Sequence, residues 1–325
     1  MKKNISTSTE EEKKNEKLKN EKILENRRKF KPKNDVIFQE LFKPGNEDIT
    51  KAFLSSIIKE NITEINMDVS THTNRDYLKS KLGILDLRVK LENNIQCNVE
   101  VQLIDYGNMI DRMLFYWSKQ FSKNLNKSQD YSKLERTISI AILNFKIEDL
   151  KDIENFYTNW KIIETKDRKK ILTNKLDIYI IEMPKLLEQK HKELNDNLTQ
   201  WMLFLNNPDS VEVKEIMEEN DKIKEAAEKY DVILGDEELI RLAELKEKGE
   251  MDERNMKRVA REEGIAEGMK QGMEKGKQEG HKSGLIEGIQ KNKLEVAKKL
   301  LKMKLPIYKI SEATGLSKEE IEKLK

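Results

Sequence analysis

Two runs of strict alternation constrain this chain more than any other feature. In 82-LGILDLRVKL-91, Leu85, Leu87, Val89 and Leu91 share one side, and Asp86, Arg88 and Lys90 share the other. In 95-IQCNVEVQLI-104, Ile95, Cys97, Val99, Val101 and Leu103 stand opposite Gln96, Asn98, Glu100 and Gln102. Successive strand side chains point to opposite faces, so each run reads as a strand with one apolar face. Only Glu92, Asn93 and Asn94 separate them, which predicts an antiparallel hairpin. The register follows, because a slip of one residue would turn every apolar side chain outward. The short loop sets Leu91 opposite Ile95, and the same register sets Asp86 opposite Glu100. Facing residues have Cβ atoms about 4.5–5.5 Å apart. Two carboxylates that close on one face need compensation. Solvent supplies it on a wet outer face, where acidic residues are usual. A hard divalent cation is the other answer, since Mg²⁺ is commonly held by one or two carboxylates.

Helical spacing flanks the hairpin. Val36, Ile37, Leu41 and Phe42, then Ile49, Phe53, Leu54, Ile57 and Ile58 past Pro44-Gly45, recur at the three- and four-residue intervals of amphipathic helices. Residues 62–69 alternate, with Ile65, Met67 and Val69 on one side. From 110 to 125, Met113, Leu114, Trp117 and Phe121 form an apolar stripe, and Arg112, Tyr116, Lys119 and Lys123 fall on another face. Residues 137–145 and 175–183 read as buried strands, the second stopped by Pro184. Beyond 186 the spacing is helical. Helix, strands, helix, strand, strand predicts an α/β fold with a mixed sheet flanked by helices.

Charged residues make up 38% of the chain and apolar residues 37%, against about 25% and about 45–50% in an ordinary soluble domain. Such an average approaches disorder, so a packed core flanked by polar segments is expected. The first 29 residues hold 16 charged side chains and five apolar ones, which predicts a solvated, disordered tail with at most a fragment of helix. No stretch approaches the ~20 apolar residues of a membrane span. The N-terminus has no apolar run, so no signal peptide is expected. One cysteine, Cys97, excludes an internal disulfide framework, and His72, His191 and His281 are scattered. A reducing cytoplasm fits. The net charge of +2 decides nothing about nucleic acid, because local patches govern that.

Seven glycines, at 264, 268, 272, 276, 280, 284 and 288, recur at a spacing of four. On a helix they would line a slowly winding groove. Each costs roughly 0.8–1 kcal/mol relative to Ala, so either close packing, as in a homo-oligomer, offsets them, or the segment is a flexible charged linker. The intervening charges exclude membrane pairing. Ser317 and Glu320 make a capping box. With Ile307, Ile310, Leu316, Ile321 and Leu324 as core positions, the end of the chain resembles a helix-turn-helix. The expected divisions are a tail at 1–29, a core at 30–205, a helical region at 206–250, the glycine segment at 251–292, and the helix-turn-helix-like tail at 293–325.

Ile84-Leu85-Asp86 followed by Asn98-Val99-Glu100-Val101-Gln102 resembles the motif of the PD-(D/E)XK nuclease superfamily. More narrowly, the chain is similar to the recombination-promoting nuclease family, also described as PD-(D/E)XK nuclease family putative transposases. The likeness extends to Asn34-Asp35 with Phe38-Gln39-Glu40-Leu41-Phe42, to Asp111-Arg112-Met113 with Tyr116-Trp117, to Ile180-Ile181-Glu182-Met183-Pro184-Lys185, and to Trp201-Met202-Leu203-Phe204-Leu205. It implies a restriction-endonuclease-like core and a metal-dependent DNA endonuclease linked to recombination or mobile elements. Asp86 and Glu100 would hold Mg²⁺, and Gln102 would complete the catalytic set. Asp35 would be an accessory acid, although an acid at a helix N-terminus is also stabilised by the dipole alone. Arg112, Tyr116 and Lys119 would contact DNA phosphates. The superfamily often has Lys where Gln102 stands, and a neutral amide can orient a water only by hydrogen bonds. That departure keeps open a scaffold that binds DNA or protein without cleaving, and a helical self-association module.

Overall fold

Helix α1 (Glu10–Lys29) begins the described part of the computed structural model, which comprises residues 10–67, 86–123, 125 and 130–324. Helices α2 (Asp35–Leu41) and α3 (Glu47–Ile58) lead to strand β1 (Ile65–Met67), then to the hairpin of β2 (Asp86–Leu91) and β3 (Gln96–Gln102). Helix α4 (Met109–Lys123) crosses to β4 (Thr137–Leu143), and β5 (Tyr157–Trp160) and β6 (Leu176–Glu182) complete the sheet. Helices α5 (Met183–Leu187), α6 (Asn197–Asn206), α7 (Val211–Glu219) and α8 (Asp221–Leu234) follow. The long α9 (Glu237–Lys302), α10 (Ile307–Thr314) and α11 (Lys318–Glu322) end the chain. Among the described residues none of these helices is long and apolar enough to cross a membrane.

The sheet is mixed, with order β1-β2-β3-β4-β6-β5. Strands β3, β4 and β6 run parallel, and the other pairs are antiparallel. The hairpin takes the register that its alternation dictates. Asp86 pairs with Glu100, Leu87 with Val99 and Val89 with Cys97. The Leu91 N–H donates to the Ile95 carbonyl at 2.8 Å. Glu92–Asn94 form a 3₁₀ turn, closed by Asn94 at φ 62°, a conformation Asn tolerates better than most residues. The outer parts of two expected strands, 68–69 and 82–85, lie outside the described residues.

Both faces of the sheet are covered. On one, Leu87, Val89, Cys97, Val99, Ile138, Ile140, Tyr179 and Ile181 join Phe38, Phe42, Phe53, Trp201 and Phe204 in the main core. The aromatic rings there lie 4.5–6.0 Å apart, at the tilted and edge-on angles that aromatic pairs prefer. On the other face, Met109 and Met113 of α4 pack on Ala141, Leu143, Ile178 and Ile180. The polar face of β3 is therefore not a wet exterior: Asn98 and Glu100 are buried at 5% and 4% exposure, while Arg88 on β2 stays exposed. Strand β5 was missed by pattern because its residues lie on an edge and are half-buried to exposed, without clean alternation.

Two expectations need correction. The disordered tail contains α1, anchored near its C-terminal end. Arg27 pairs with Asp209, at 2.7 Å, and with Asp231, and Asn26 Nδ2 donates to the Leu234 carbonyl at 2.9 Å. Net composition concealed these few specific partners. The core also does not stop at 205. Val213, Ile216, Ile223, Ala226, Tyr230, Ile240 and Ala243 belong to the same apolar cluster as the sheet, and the first compact unit ends at Glu247.

The second compact unit, Lys248–Lys325, is built around Ala297, Ile310, Leu316 and Ile321. The capping box of Ser317 and Glu320 is formed, and Gly315 at φ 69° closes α10 in the left-handed conformation that favours glycine. All seven periodic glycines are helical, within α9. A Cβ placed on any of them would meet nothing within 4 Å.

Candidate active site

Glu100 and Gln102 are successive residues on one face of β3, and β3 ends there. The Asp105 carboxylate accepts from the Gly107 N–H at 2.7 Å, and Gly107 at φ 74° turns the chain in a way that a side chain would strain. This turn starts α4 back across the sheet. Its first turn places Arg112 over β3, where the guanidinium pairs with the Glu100 carboxylate. Both side chains are mostly buried, Arg112 at 19% and Glu100 at 6% exposure. Arg112 Nε is also buried and has no hydrogen-bond acceptor among the described residues.

A remote segment completes the cluster. The Lys33 N–H donates to the Leu205 carbonyl at 3.2 Å, and Lys33 Nζ donates to Asn144 Oδ1 at 2.7 Å and Asn206 Oδ1 at 2.8 Å. Asn144 itself follows β4 and donates its N–H to the Gln102 carbonyl at 3.0 Å. The start of α2 is thus tied to the C-terminal ends of β3 and β4. Burial, and then Lys31, pull the Lys33 ammonium below the ordinary lysine value. Asn34 caps α2 by accepting from the Val36 and Ile37 N–H groups. Asp35 is then presented from the first turn, buried, with its carboxylate paired to Lys246 of α9. Burial raises the Asp35 carboxyl, and Lys246 and Arg112 pull against that rise. Arg112 thus pairs with Glu100 on β3, and its charge is the smallest of those that act on Asp35 on α2.

The structure distributes the expected residues unevenly. It gathers Asp35, Glu100 and Arg112, with Gln102 half-buried beside them on the face of Glu100. Asp86 stands opposite Glu100 by backbone register; its side chain lies outside what is described. The trio expected on DNA phosphates separates. Arg112 turns inward to a carboxylate, Tyr116 is half-buried with its ring edge-on to Phe115 at 5.3 Å, and Lys119 is exposed, 6.0 Å from the Phe115 ring.

Sequence reasoning missed Lys246 and Asn98. Lys246 lies on the helical stripe that begins with buried Ile240 and Ala243, so a lysine where an apolar residue is due was the available signal. Asn98 Oδ1 is buried two residues before Glu100 on the same face, with no donor among the described residues.

The donor chemistry fits a hard divalent cation. Glu100 and Asp35 offer carboxylate oxygens, Gln102 an amide oxygen, and Asn98 Oδ1 is an acceptor in want of a partner. The soft donor nearby, Cys97, is buried on the opposite face, and burial pushes its thiol up to about 12. Among the described residues no three His, Cys, Asp or Glu side chains form one metal-holding group. The site would need the Asp86 carboxylate, non-acidic oxygens or water to complete a shell.

The sequence profile of the PD-(D/E)XK nuclease family transposases matches residues 32–260, well over half of the chain. No curated protein and no solved structure matches it. The match runs from the segment that delivers Asp35, through the Asp86–Glu100 hairpin and α4, and past Lys246. The chain belongs to the PD-(D/E)XK nuclease family transposases.

Proposed function

We propose that this protein is a metal-dependent DNA endonuclease that hydrolyses phosphodiester bonds, acting in DNA recombination or in the movement of mobile elements. The observation that carries the reading is the register that sets Asp86 opposite Glu100, with Gln102 following on the same face. Asp86 and Glu100 would hold the cation, Mg²⁺ in the simplest case, with Asp35 as the accessory acid. A divalent cation so held polarises a phosphate and lowers the pKa of a bound water.

The chain's own residues have distinct tasks in this reading. Gln102, half-exposed at the end of β3, orients the attacking water through its amide. Arg112 places a permanent positive charge beside Glu100 and limits the repulsion between the acids and a phosphate. The packing of α4 on the sheet through Met109 and Met113 keeps bulk water from that side of the site and so strengthens each electrostatic contact. Tyr116 and Lys119, farther along α4, would contact the DNA backbone.

A second reading rests on the Glu100–Arg112 pair itself. A carboxylate already neutralised by arginine, next to a neutral Gln102, suits a nuclease-like scaffold that binds DNA without cutting it. Plasmid nicking in Mg²⁺ separates the two. The active reading expects nicking by the wild type and at least a hundredfold loss in Glu100→Ala. DNA binding with no nicking by either protein would establish the scaffold, and equal nicking by both would sink the site assignment.

A further inference from the structure

Each of the two described acids of the site is paired with a cation, Glu100 with Arg112 and Asp35 with Lys246, and Lys33 is held by Asn144 and Asn206 instead. Lys246 Nζ is buried, and Asp35 is the described group that meets its charge. The Arg112 charge also acts on Asp35, more weakly than that of Lys246, so the two pairs make a loose network of charges. An ammonium is seldom buried without a partner, and losing one member of a buried pair leaves an uncompensated charge. The network sits where β3 offers Gln102, a neutral residue at the motif position that often carries lysine in the superfamily. Positive charge is therefore present at the site, delivered by α4 and α9 instead of by the strand.

We propose that Lys246 is a positioning residue of the nuclease site, a resident counter-ion that holds the Asp35 carboxylate in place and competes with the divalent cation for it. The inference rests on the metal-dependent reading above. Its physical content is charge balance. Lys246 and Arg112 each offset one of the two described carboxylates, and an incoming divalent cation meets both positive charges. Removing the Lys246 charge makes the cluster one unit more negative and favours the cation. A residue that only supported the local structure would, when lost, loosen the site and weaken cation binding. The two roles predict opposite signs.

The test is calorimetric titration of Mn²⁺ into the full-length protein, with circular dichroism to check folding. Lys246→Met is expected to tighten Mn²⁺ binding by roughly tenfold, the scale of one unit charge acting nearby, and Lys246→Arg to leave it at the wild-type value. Unchanged or weaker binding in folded Lys246→Met overturns the proposal. If that variant does not fold, Asp35→Asn and Asp35→Asn/Lys246→Met replace it, because the double variant buries no unpaired charge. The added Lys246→Met should then recover at least threefold of the affinity lost in Asp35→Asn, and equal affinities overturn the proposal. Glu100→Ala tests the underlying reading separately. Wild-type Mn²⁺ affinity in that variant removes the metal site from β3 whatever Lys246 does. Absence of binding in the wild type removes both.

Discussion

Arg112, in the first turn of α4, reaches back across the sheet to pair with Glu100 on β3. Little solvent reaches either side chain, so the pair is held by geometry and by the absence of competing water. Removing one partner leaves the other buried and charged. Arg112→Ala is expected to lower stability by about 3 kcal/mol, the lower end for a broken buried pair. Arg112→Met combined with Glu100→Met should recover most of that loss. Urea denaturation of the two single variants and the double gives the coupling directly, and additive losses would mean that the pair contributes nothing beyond its members.

Asp196 supplies a pH-dependent contribution away from the site. It caps α6 by accepting from the Thr199 N–H at 2.9 Å, and it pairs with Lys59 Nζ at 2.7 Å. Burial alone would raise this carboxyl. The Lys59 and Thr199 contacts outweigh burial and hold it below its ordinary value of 3.8. A depressed acid stabilises the fold above its unfolded value and loses that contribution as pH falls through its folded one. Asp196→Ala should therefore cost about 1 kcal/mol at neutral pH, typical of a lost cap. The gap from wild type should close as pH falls below about 3.8. Denaturation midpoints measured between pH 7 and pH 3 test this, and a gap independent of pH would contradict it.

The glycine row of α9 allows a test by addition. A Cβ on Gly272 or Gly276 meets nothing within 4 Å. Replacing both with Ala should raise helix stability by roughly 0.8–1 kcal/mol per site, read as a higher melting temperature and stronger helical circular dichroism. A fall in either, with a lower molar mass by light scattering, would show instead that a second copy covers this face in solution.

The hairpin was legible from sequence because its information is local. Period-2 alternation on both sides of a short loop leaves one register that keeps Leu87, Val89, Cys97 and Val99 on the same face. Buried β4 and β6 were legible for a similar reason, as short apolar runs between polar segments. Strand β5 was not, because an edge strand with one row of backbone partners tolerates almost any side chain. Helix α1 was not, because the partners of Arg27, Asp209 and Asp231, lie 182 and 204 residues along the chain.

The same division holds at the site. Sequence alone determined that Asp86 faces Glu100 and that Gln102 follows on that face, because pleat and register are fixed by neighbours along the chain. Tertiary structure decided that Glu100 on this face is buried, that Arg112 turns toward Glu100 instead of outward, and that Asp35 meets a lysine far along the chain, on α9. Those outcomes depend on which charges remain near one another once water has been excluded. No local spacing encodes that, because the compensating charge can come from any element the fold brings close.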